Sequence, residues 1–177
     1  IIWETIDEDF YDELEESLIL ADLGATVAHD AVQKLRDVVY QKSIQRGDDV
    51  KQALPAAAAV EVFHNFTLLH DDIMDNAAVR RGKPSVHAKW GQNVAILSGD
   101  AMMIYAYRLL SSVPANLLPQ VLSTFNTMAL EVCEGQQYDM DFEQKPKVSV
   151  VEYMHMIELK TSVLLAGSVV IGAMLGG

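Results

Sequence analysis

Apolar side chains recur with the spacing of an α-helix over long segments of this chain, and no segment alternates apolar and polar residues for long. Recurrence every three or four residues places one apolar stripe along a helix, whereas a strand needs alternation. Leu, Ala, Met and Val are prominent and aromatic residues make up only 7%. The pattern predicts an all-α protein built of helices packed on helices. Helices are predicted at residues 7–22, 26–46, 52–70, 95–111, 117–142 and 149–175, the last as one or two helices.

Negative charge is concentrated near the start of the chain. The first 49 residues hold 13 acidic and 4 basic side chains, and the formal charge of the whole chain is −12. Because such a protein repels a phosphate backbone, no nucleic acid partner is expected. The uneven charge predicts two segments: an acidic helical hairpin at residues 1–47, and a helical bundle at residues 48–177.

Cysteine content and the length of the apolar segments indicate the cellular compartment of the protein and whether it spans a membrane. The single cysteine, Cys133, excludes an intrachain disulfide framework and fits a reducing cytosol, so a cytoplasmic protein is expected. No basic segment precedes an apolar stretch at the start, so no signal peptide is expected. The most apolar stretch, residues 162–177, is shorter than the ~20 residues of a membrane span. It predicts a buried core helix and no transmembrane segment.

Three aspartates stand at the end of an otherwise apolar helix, in the run His-Asp-Asp-Ile-Met-Asp at 70–75. Asp71 and Asp75 are four residues apart and therefore share a helix face, and Asp72 flanks them. A hard divalent cation such as Mg²⁺ would relieve their repulsion, with water and phosphate oxygens completing its coordination. The alternative is a solvated acidic helix end with no ligand.

A basic segment follows five residues after Asp75, in the order Arg80, Arg81, Gly82 and Lys83. Arginine binds phosphate through two parallel hydrogen bonds, and a glycine lets the backbone approach an anion. Carboxylates for a metal followed by arginines for phosphate indicate a site for a metal-bridged diphosphate. A surface loop whose arginines merely neutralise the aspartates fits the same residues equally well.

Four segments together resemble the polyprenyl (trans-isoprenyl) diphosphate synthase family over residues 50–177. They are HNFTLLHDDIMDNAAVRRGKPSVHAKWG at 64–91, ILSGDAMM at 96–103, EVCEGQQYDMDFE at 131–143 and YMHMIELKTSVLLAGSVVIGAMLGG at 153–177. The resemblance implies part of an isoprenoid-synthase helical bundle. It also implies a Mg²⁺-dependent prenyltransferase that condenses an allylic diphosphate (dimethylallyl, geranyl or farnesyl) with isopentenyl diphosphate, and a homodimer.

The resemblance also implies a role for individual residues. Asp71 and Asp75 would ligate Mg²⁺, with Asp72 in support. Isopentenyl diphosphate would contact Arg81 and His64. The residues that would hold the allylic diphosphate, or lie near the reacting carbons, are Arg80, Lys160, Thr161 and Gln137.

Product length in such an enzyme depends on the depth of the pocket below the aspartates. Phe66 lies five residues before Asp71, and Phe63 lies one turn deeper. A bulky Phe66 predicts a short product, C15 or C20. The alternative is that both phenylalanines are ordinary core residues.

Two features of the family are missing from these 177 residues: a second aspartate-rich motif, and a Gly-Gly-Lys-Arg segment near the start. The activity is therefore expected to be incomplete in this chain alone. Residues 1–47 resemble instead the N-terminal helical domain of the bacterial signal-recognition-particle receptor GTPase. Two other hypotheses follow, a non-catalytic helical interaction module and a synthase-like subunit that needs a partner chain.

Overall fold

A computed structural model describes residues 47–176, together with residues 11, 12, 29, 33 and 36. The predicted hairpin of helices 7–22 and 26–46 lies outside the described residues, apart from those five positions. The chain divides into two compact units, Ile1–Lys51 and Gln52–Gly177. The functional boundary predicted between residues 47 and 48 stays a prediction. All of the predicted site residues belong to the second unit.

The described part of the chain from residue 47 onward is helical except for one short hairpin, and the predicted all-α class is confirmed. In chain order the elements are α1 Gly47–Met74, β1 Val79–Arg80, β2 Lys83–Pro84, α2 Val86–Trp90, α3 Gln92–Leu110, α4 Leu118–Glu143, α5 Val150–Ile157, a π-helical turn Glu158–Ser162, and α6 Val163–Gly176.

Helix α1 ends immediately after the aspartates, through a left-handed cap. Asn76 has φ of 51°, and its N–H donates to the carbonyl of Ile73 at 3.3 Å, while Ala77 N–H donates to Asp72 O at 2.9 Å. These two bonds satisfy carbonyls at the helix end, and asparagine is one of the few residues that adopts this conformation readily. The cap turns the chain back toward the helix that it has just left.

The basic segment predicted as a loop forms an antiparallel hairpin, in which Val79 pairs with Pro84 and Arg80 with Lys83. Its two-residue turn consists of Arg81 and Gly82, with φ of 50° and 77°. Two positive φ angles match the natural twist of the strands. Glycine adopts them without cost, whereas a side chain such as that of Arg81 rarely does.

The core lies where α1, α3, α4 and α6 meet. Its largest fully buried side chains are Phe63, Leu110, Val121 and Phe125. The rings of Phe63 and Phe125 meet edge to face, with centroids 5.2 Å apart. Each such side chain contributes about 1.5–3 kcal/mol through removal from water. This core sets α1 and α4 side by side, and so determines which of their side chains face each other.

The last helical segment is longer than the apolar stretch at 162–177. Helices α5 and α6 are continuous through the π turn, so that Val150–Gly176 forms 27 residues with a mean hydropathy of 1.7 in its most apolar window. Among the described residues this one helix has the length and composition of a membrane span, and the expected absence of a transmembrane segment stays a prediction. A core helix meets the same two criteria, and Gly167, Ile171 and Leu175 of α6 are buried.

Candidate active site

A cavity of about 500 Å³ lies between α1, α4, the π turn and α6. Apolar side chains form most of its wall, including Val132, Met140 and Leu164. Six of the residues predicted from the sequence line it, and they come from three separate segments. They are His64, Phe66, Asp71, Gln137, Lys160 and Thr161.

Lys160 connects two acidic side chains at the polar end of this cavity. Its Nζ donates to Asp71 Oδ1 at 3.0 Å and to Asp139 Oδ2 at 2.6 Å. Burial opposes the charge of the ammonium group, but the hydrogen bonds from Lys160 to Asp139 and Asp71 outweigh it and raise the pKa of Lys160. Lys160 therefore stays charged at neutral pH and holds α1, α4 and the π turn together at one point.

The side chain of Arg80 contacts Asp72, the second aspartate of the motif, rather than extending into solvent. Its Nε donates to both oxygens of Asp72 at 2.8 Å, and its Nη2 lies 2.7 Å from Asp72 Oδ1 and 3.3 Å from Asp71 Oδ2. The hydrogen bond to Asp72 is the main cause that raises the pKa of Arg80. Asp72 is only 5% exposed, so its carboxylate supports the arginine and does not line the cavity.

Asp75 lies one helical turn after Asp71, and its N–H donates to Asp71 O at 2.9 Å. Burial raises the pKa of Asp75, and the negative charges of Asp71, Asp139 and Glu143 raise it further against the opposing charge of Lys160. Negative charge is thus in excess at this position, and oxygen donors are what Mg²⁺ prefers. The donor set of Asp71 and Asp75 fits a hard cation.

A metal at this position would need further ligands. Among residues 47–176 and the five earlier positions, no group of three or more His, Cys, Asp or Glu side chains is arranged to hold a metal ion. Water and phosphate oxygens are the usual additional ligands of Mg²⁺. The binding of a cation by Asp71 and Asp75 together with a phosphorylated ligand therefore stays a prediction.

The hairpin places Arg81 at its turn, where the side chain is exposed and does not line the cavity. Ser85, 3% exposed, holds the base of the hairpin, because its Oγ donates to Ala77 O at 2.6 Å. Ser85 N–H also donates to Ala78 O at 3.1 Å. The two arginines therefore differ: Arg80 is drawn onto the aspartates, and Arg81 is presented outward.

Of the two predicted chain-length residues, only one reaches the cavity. Phe66 lines it and packs against His70, with ring centroids 4.7 Å apart. Phe63 does not line it and is 1% exposed in the core against Phe125. Its position on α1 points the ring of Phe63 between α1 and α4, and its role in setting product length stays a prediction.

The structure distinguishes two adjacent glutamines that the sequence interpretation did not separate. Gln137 Nε2 donates to Asp141 Oδ1 at 2.9 Å along α4. Gln136 also lines the cavity, and its buried Nε2 has no hydrogen-bond partner among the described residues. A buried amide without a partner is costly unless a ligand or water satisfies it, so Gln136 is the better placed of the two to meet a ligand.

Asp139, like Gln136, was missed by the sequence interpretation. It lies four residues after Gly135 on α4, and the acidic run Tyr-Asp-Met-Asp at 138–141 carried no partner signal by itself. Its role depends on Lys160, which is 21 residues away in the chain. The available signal was that Asp139 stands four residues after Gly135 and therefore shares its helix face.

Comparison with known proteins identifies the family that this chain is similar to. The profile of the polyprenyl synthetase family matches residues 25–177. A geranylgeranyl diphosphate synthase of Methanosarcina mazei is 50% identical over 134 residues, covering 74% of this chain and 41% of the relative. A short chain isoprenyl diphosphate synthase of Methanocaldococcus jannaschii is 48% identical over 129 residues, covering 72% and 39%.

A solved structure of similar fold is the geranylgeranyl pyrophosphate synthetase of Pyrococcus horikoshii Ot3. It superposes with a TM-score of 0.69 at 42% sequence identity, covering 71% of this chain and 39% of that chain. The chain thus spans about two fifths of the length of the relatives that it matches, from 39% to 41%.

The family match also corrects the interpretation of the N-terminal segment. Similarity begins at residue 25 and not near residue 50, and the resemblance of residues 1–47 to the receptor GTPase domain finds no support in these comparisons. Acidic amphipathic helices are shared by many unrelated proteins, so their pattern alone specifies a family poorly. Because the family profile matches residues 25–177, most of the chain, the chain belongs to the polyprenyl synthetase family.

Proposed function

We propose that this chain forms the allylic-diphosphate half of a short-chain prenyl diphosphate synthase. The reaction is the condensation of an allylic diphosphate with isopentenyl diphosphate. The carbon–oxygen bond of the allylic substrate breaks and diphosphate departs. A carbon–carbon bond then forms to isopentenyl diphosphate, which loses a proton, and the departing diphosphate accepts that proton.

One observation carries this proposal: the cavity joins a charged end to an apolar interior. Asp71 and Lys160 lie at the charged end, and the walls formed by Phe66, Val132 and Leu164 are apolar. A prenyl diphosphate has the same division between a charged head and an apolar tail. Burial of the tail contributes about 25 cal/mol for each Å² removed from water, while the head requires paired charges.

The cations of the site would bind the phosphates and stabilise the charge that develops on the departing diphosphate. Lys160 already lies in the cavity, and Arg80 lies beside it on Asp71. In our proposal Arg81 contacts isopentenyl diphosphate from the hairpin turn, together with His64 from the cavity wall. Thr161 and the glutamines of α4 lie closer to the reacting carbons.

Asp71 and Asp75 would hold Mg²⁺ in this site. Bound there, the metal would supply positive charge to the phosphate oxygens of the leaving group. The apolar wall has a different task, since it excludes water that would otherwise capture a reactive allylic cation. Asp72 contributes indirectly, because it orients Arg80.

We further propose that Phe66 limits the length of the product to C15 or C20. Its ring lines the cavity and is backed by Phe63 at a centroid distance of 5.7 Å. A growing tail that reaches Phe66 therefore meets an aromatic ring that packs against a second ring of the core, tilted by 50°. Relatives named as geranylgeranyl diphosphate synthases agree with a product of this class.

A homodimer is proposed as the assembled form. Helix α3 presents a stripe of exposed apolar side chains at helical spacing, formed by Leu97, Ile104 and Tyr105, which are 69%, 65% and 56% exposed. A contiguous apolar stripe of this kind is typical of a surface that another protein covers. Sedimentation of the 177-residue chain and of its Leu97→Glu variant tests this, because a monomeric parent protein would exclude self-association.

Calorimetry with Mg²⁺ and a non-hydrolysable allylic thiolodiphosphate tests the substrate site directly. We expect the parent chain to bind, and Asp71→Asn and Lys160→Met each to weaken binding by about tenfold or more, the effect of one charge-assisted hydrogen bond. Glu134→Gln is the matched control, since Glu134 is exposed on α4 and lies outside the cavity. The absence of Mg²⁺-dependent binding by the parent chain would overturn the proposal and favour an interaction module.

A further inference from the structure

The backbone of the π turn packs directly against Gly135 of α4. A Cβ atom added at Gly135 would lie 2.6 Å from Lys160 Cα and 2.7 Å from Leu159 C, and closer still to Lys160 N. All three atoms belong to the backbone. No side-chain rotation can relieve such a contact, so any larger residue must push the π turn away from α4.

The π turn Glu158–Ser162 carries Lys160 and interrupts an otherwise continuous α-helix. A π turn contains one more residue than an α-helical turn and is less stable, so it persists only where its surroundings favour it. Here the extra residue coincides with the closest approach of the two helices. The same approach brings Lys160 Nζ to hydrogen-bond distance of Asp71 and Asp139.

We infer that Gly135 is a positioning residue for Lys160. The missing side chain lets the π turn approach α4, and this approach delivers the ammonium group to the diphosphate end of the cavity. The inference rests on the proposed function as far as diphosphate binding is concerned. The geometric part, that Gly135 determines the position of Lys160, is independent of any ligand.

Two glycines of α6, the helix that continues from the π turn, provide matched controls. A Cβ at Gly167 would meet the side chain of Met128, with Sδ at 2.5 Å and Cγ at 3.0 Å, which is a flexible neighbour outside the cavity lining. A Cβ at Gly172 would meet nothing within 4 Å. Gly167→Ala therefore perturbs helix packing away from Lys160, and Gly172→Ala perturbs nothing.

The geometric part is tested by a crystal structure of Gly135→Ala. We expect the separation of Lys160 Nζ from Asp71 Oδ1 to exceed the hydrogen-bond limit of about 3.5 Å. Gly167→Ala should retain the contact. If Gly135→Ala does not fold, deletion of Ser162 takes its place, because removal of one residue restores α-helical hydrogen bonding across the turn. A retained Lys160–Asp71 contact in the variant that folds would overturn the inference.

The functional part is tested by a double-mutant cycle read out as affinity for Mg²⁺ and the allylic thiolodiphosphate. Gly135→Ala should weaken binding by about tenfold in the parent chain, but by less than about twofold in Lys160→Met, where no ammonium group is left to displace. Gly167→Ala and Gly172→Ala should leave the affinity within about twofold.

The crystal structure and the double-mutant cycle together distinguish a failure of the inference from a failure of the proposed function. Equal losses in both backgrounds of the cycle would mean that Gly135 acts through packing alone, and would overturn the inference while the proposed function stands. A parent chain that does not bind the diphosphate would overturn the proposed function, and the crystal structure would still decide whether Gly135 positions Lys160.

Discussion

Asp72, which is buried, forms an ion pair with the partly exposed Arg80, in which Arg80 Nε donates to both carboxylate oxygens at 2.8 Å. The pair spans the cap at Asn76 and one strand of the hairpin, and it connects the end of α1 to the basic segment. Of the three aspartates in the motif, Asp72 is therefore the one that faces protein, while Asp71, whose two oxygens accept hydrogen bonds from Lys160 and Arg80, lines the cavity.

Removal of the Asp72 carboxylate should destabilise the protein. Asp72→Ala leaves Arg80 without its main partner, and we expect a loss of about 1–3 kcal/mol in the free energy of unfolding. The stability of Asp72→Asn should lie between that of Asp72→Ala and that of the parent chain, since asparagine keeps one acceptor oxygen. Urea denaturation provides the measurement, with Glu134→Ala, an exposed acid on α4, as the control. Equal stability of Asp72→Ala and the parent chain would contradict this account of the ion pair.

Substitution of Phe66 should change the preference for ligand length, whereas substitution of Phe63 should change stability. Phe66→Ala enlarges the cavity, so the affinity for a C20 thiolodiphosphate should rise relative to that for a C10 analogue. Phe63→Ala should leave that ratio unchanged and cost about 3–5 kcal/mol of stability, as expected for a buried aromatic residue. Calorimetry and urea denaturation of both variants give the two quantities. An unchanged affinity ratio in Phe66→Ala would remove Phe66 as the limit of the cavity.

The start of α5 should contribute stability that depends on pH. Glu152 accepts from Ser149 N–H at 2.9 Å, and Glu152 N–H donates to Ser149 Oγ at 3.2 Å. The hydrogen bonds from Ser149 lower the pKa of Glu152 below its ordinary value of 4.5. The contribution is therefore complete above that value and is lost as the pH falls through the lower folded-state pKa.

Glu152→Gln is the variant that measures this contribution. Its melting temperature should lie below that of the parent chain at neutral pH, and the two should converge as the pH falls below 4.5, the ordinary pKa of glutamate. Glu134→Gln should show no such convergence, because Glu134 takes part in no cap. A constant difference between Glu152→Gln and the parent chain at every pH would be inconsistent with a cap that depends on charge.

Cys133, which lines the cavity, should react slowly with alkylating reagents. Burial raises the pKa of its thiol, and the nearby charge of Glu134 raises it further. A raised pKa lowers the thiolate fraction at neutral pH, and the thiolate is the reactive form. Iodoacetamide should therefore modify the chain more slowly than it modifies glutathione, and Glu134→Gln should accelerate the reaction. Mass spectrometry measures this cleanly, since the chain has a single cysteine.

Local pattern predicted much of this structure. Residues 95–111 and 117–142 correspond to α3 Gln92–Leu110 and α4 Leu118–Glu143 within a few residues. The spacing of Asp71 and Asp75 predicted a shared helix face, and their backbone hydrogen bond maintains it. Helical periodicity and residue spacing are properties of neighbouring residues, so a sequence records them directly.

Other features depended on packing between distant segments. Lys160 reaches Asp71 across 89 residues, and the choice between Phe63 and Phe66 depends on the angle at which α1 meets α4. The hairpin that folds Arg80 back onto Asp72 required a positive φ at Arg81 that residue type does not predict.

The sequence by itself thus determined the helices, the family and the candidate residues proposed to bind a metal and phosphate. The tertiary structure alone decided which of those residues face one another, because the direction of a side chain relative to another helix depends on how closely the two backbones can approach. At Gly135 that approach depends on the absence of a single Cβ atom.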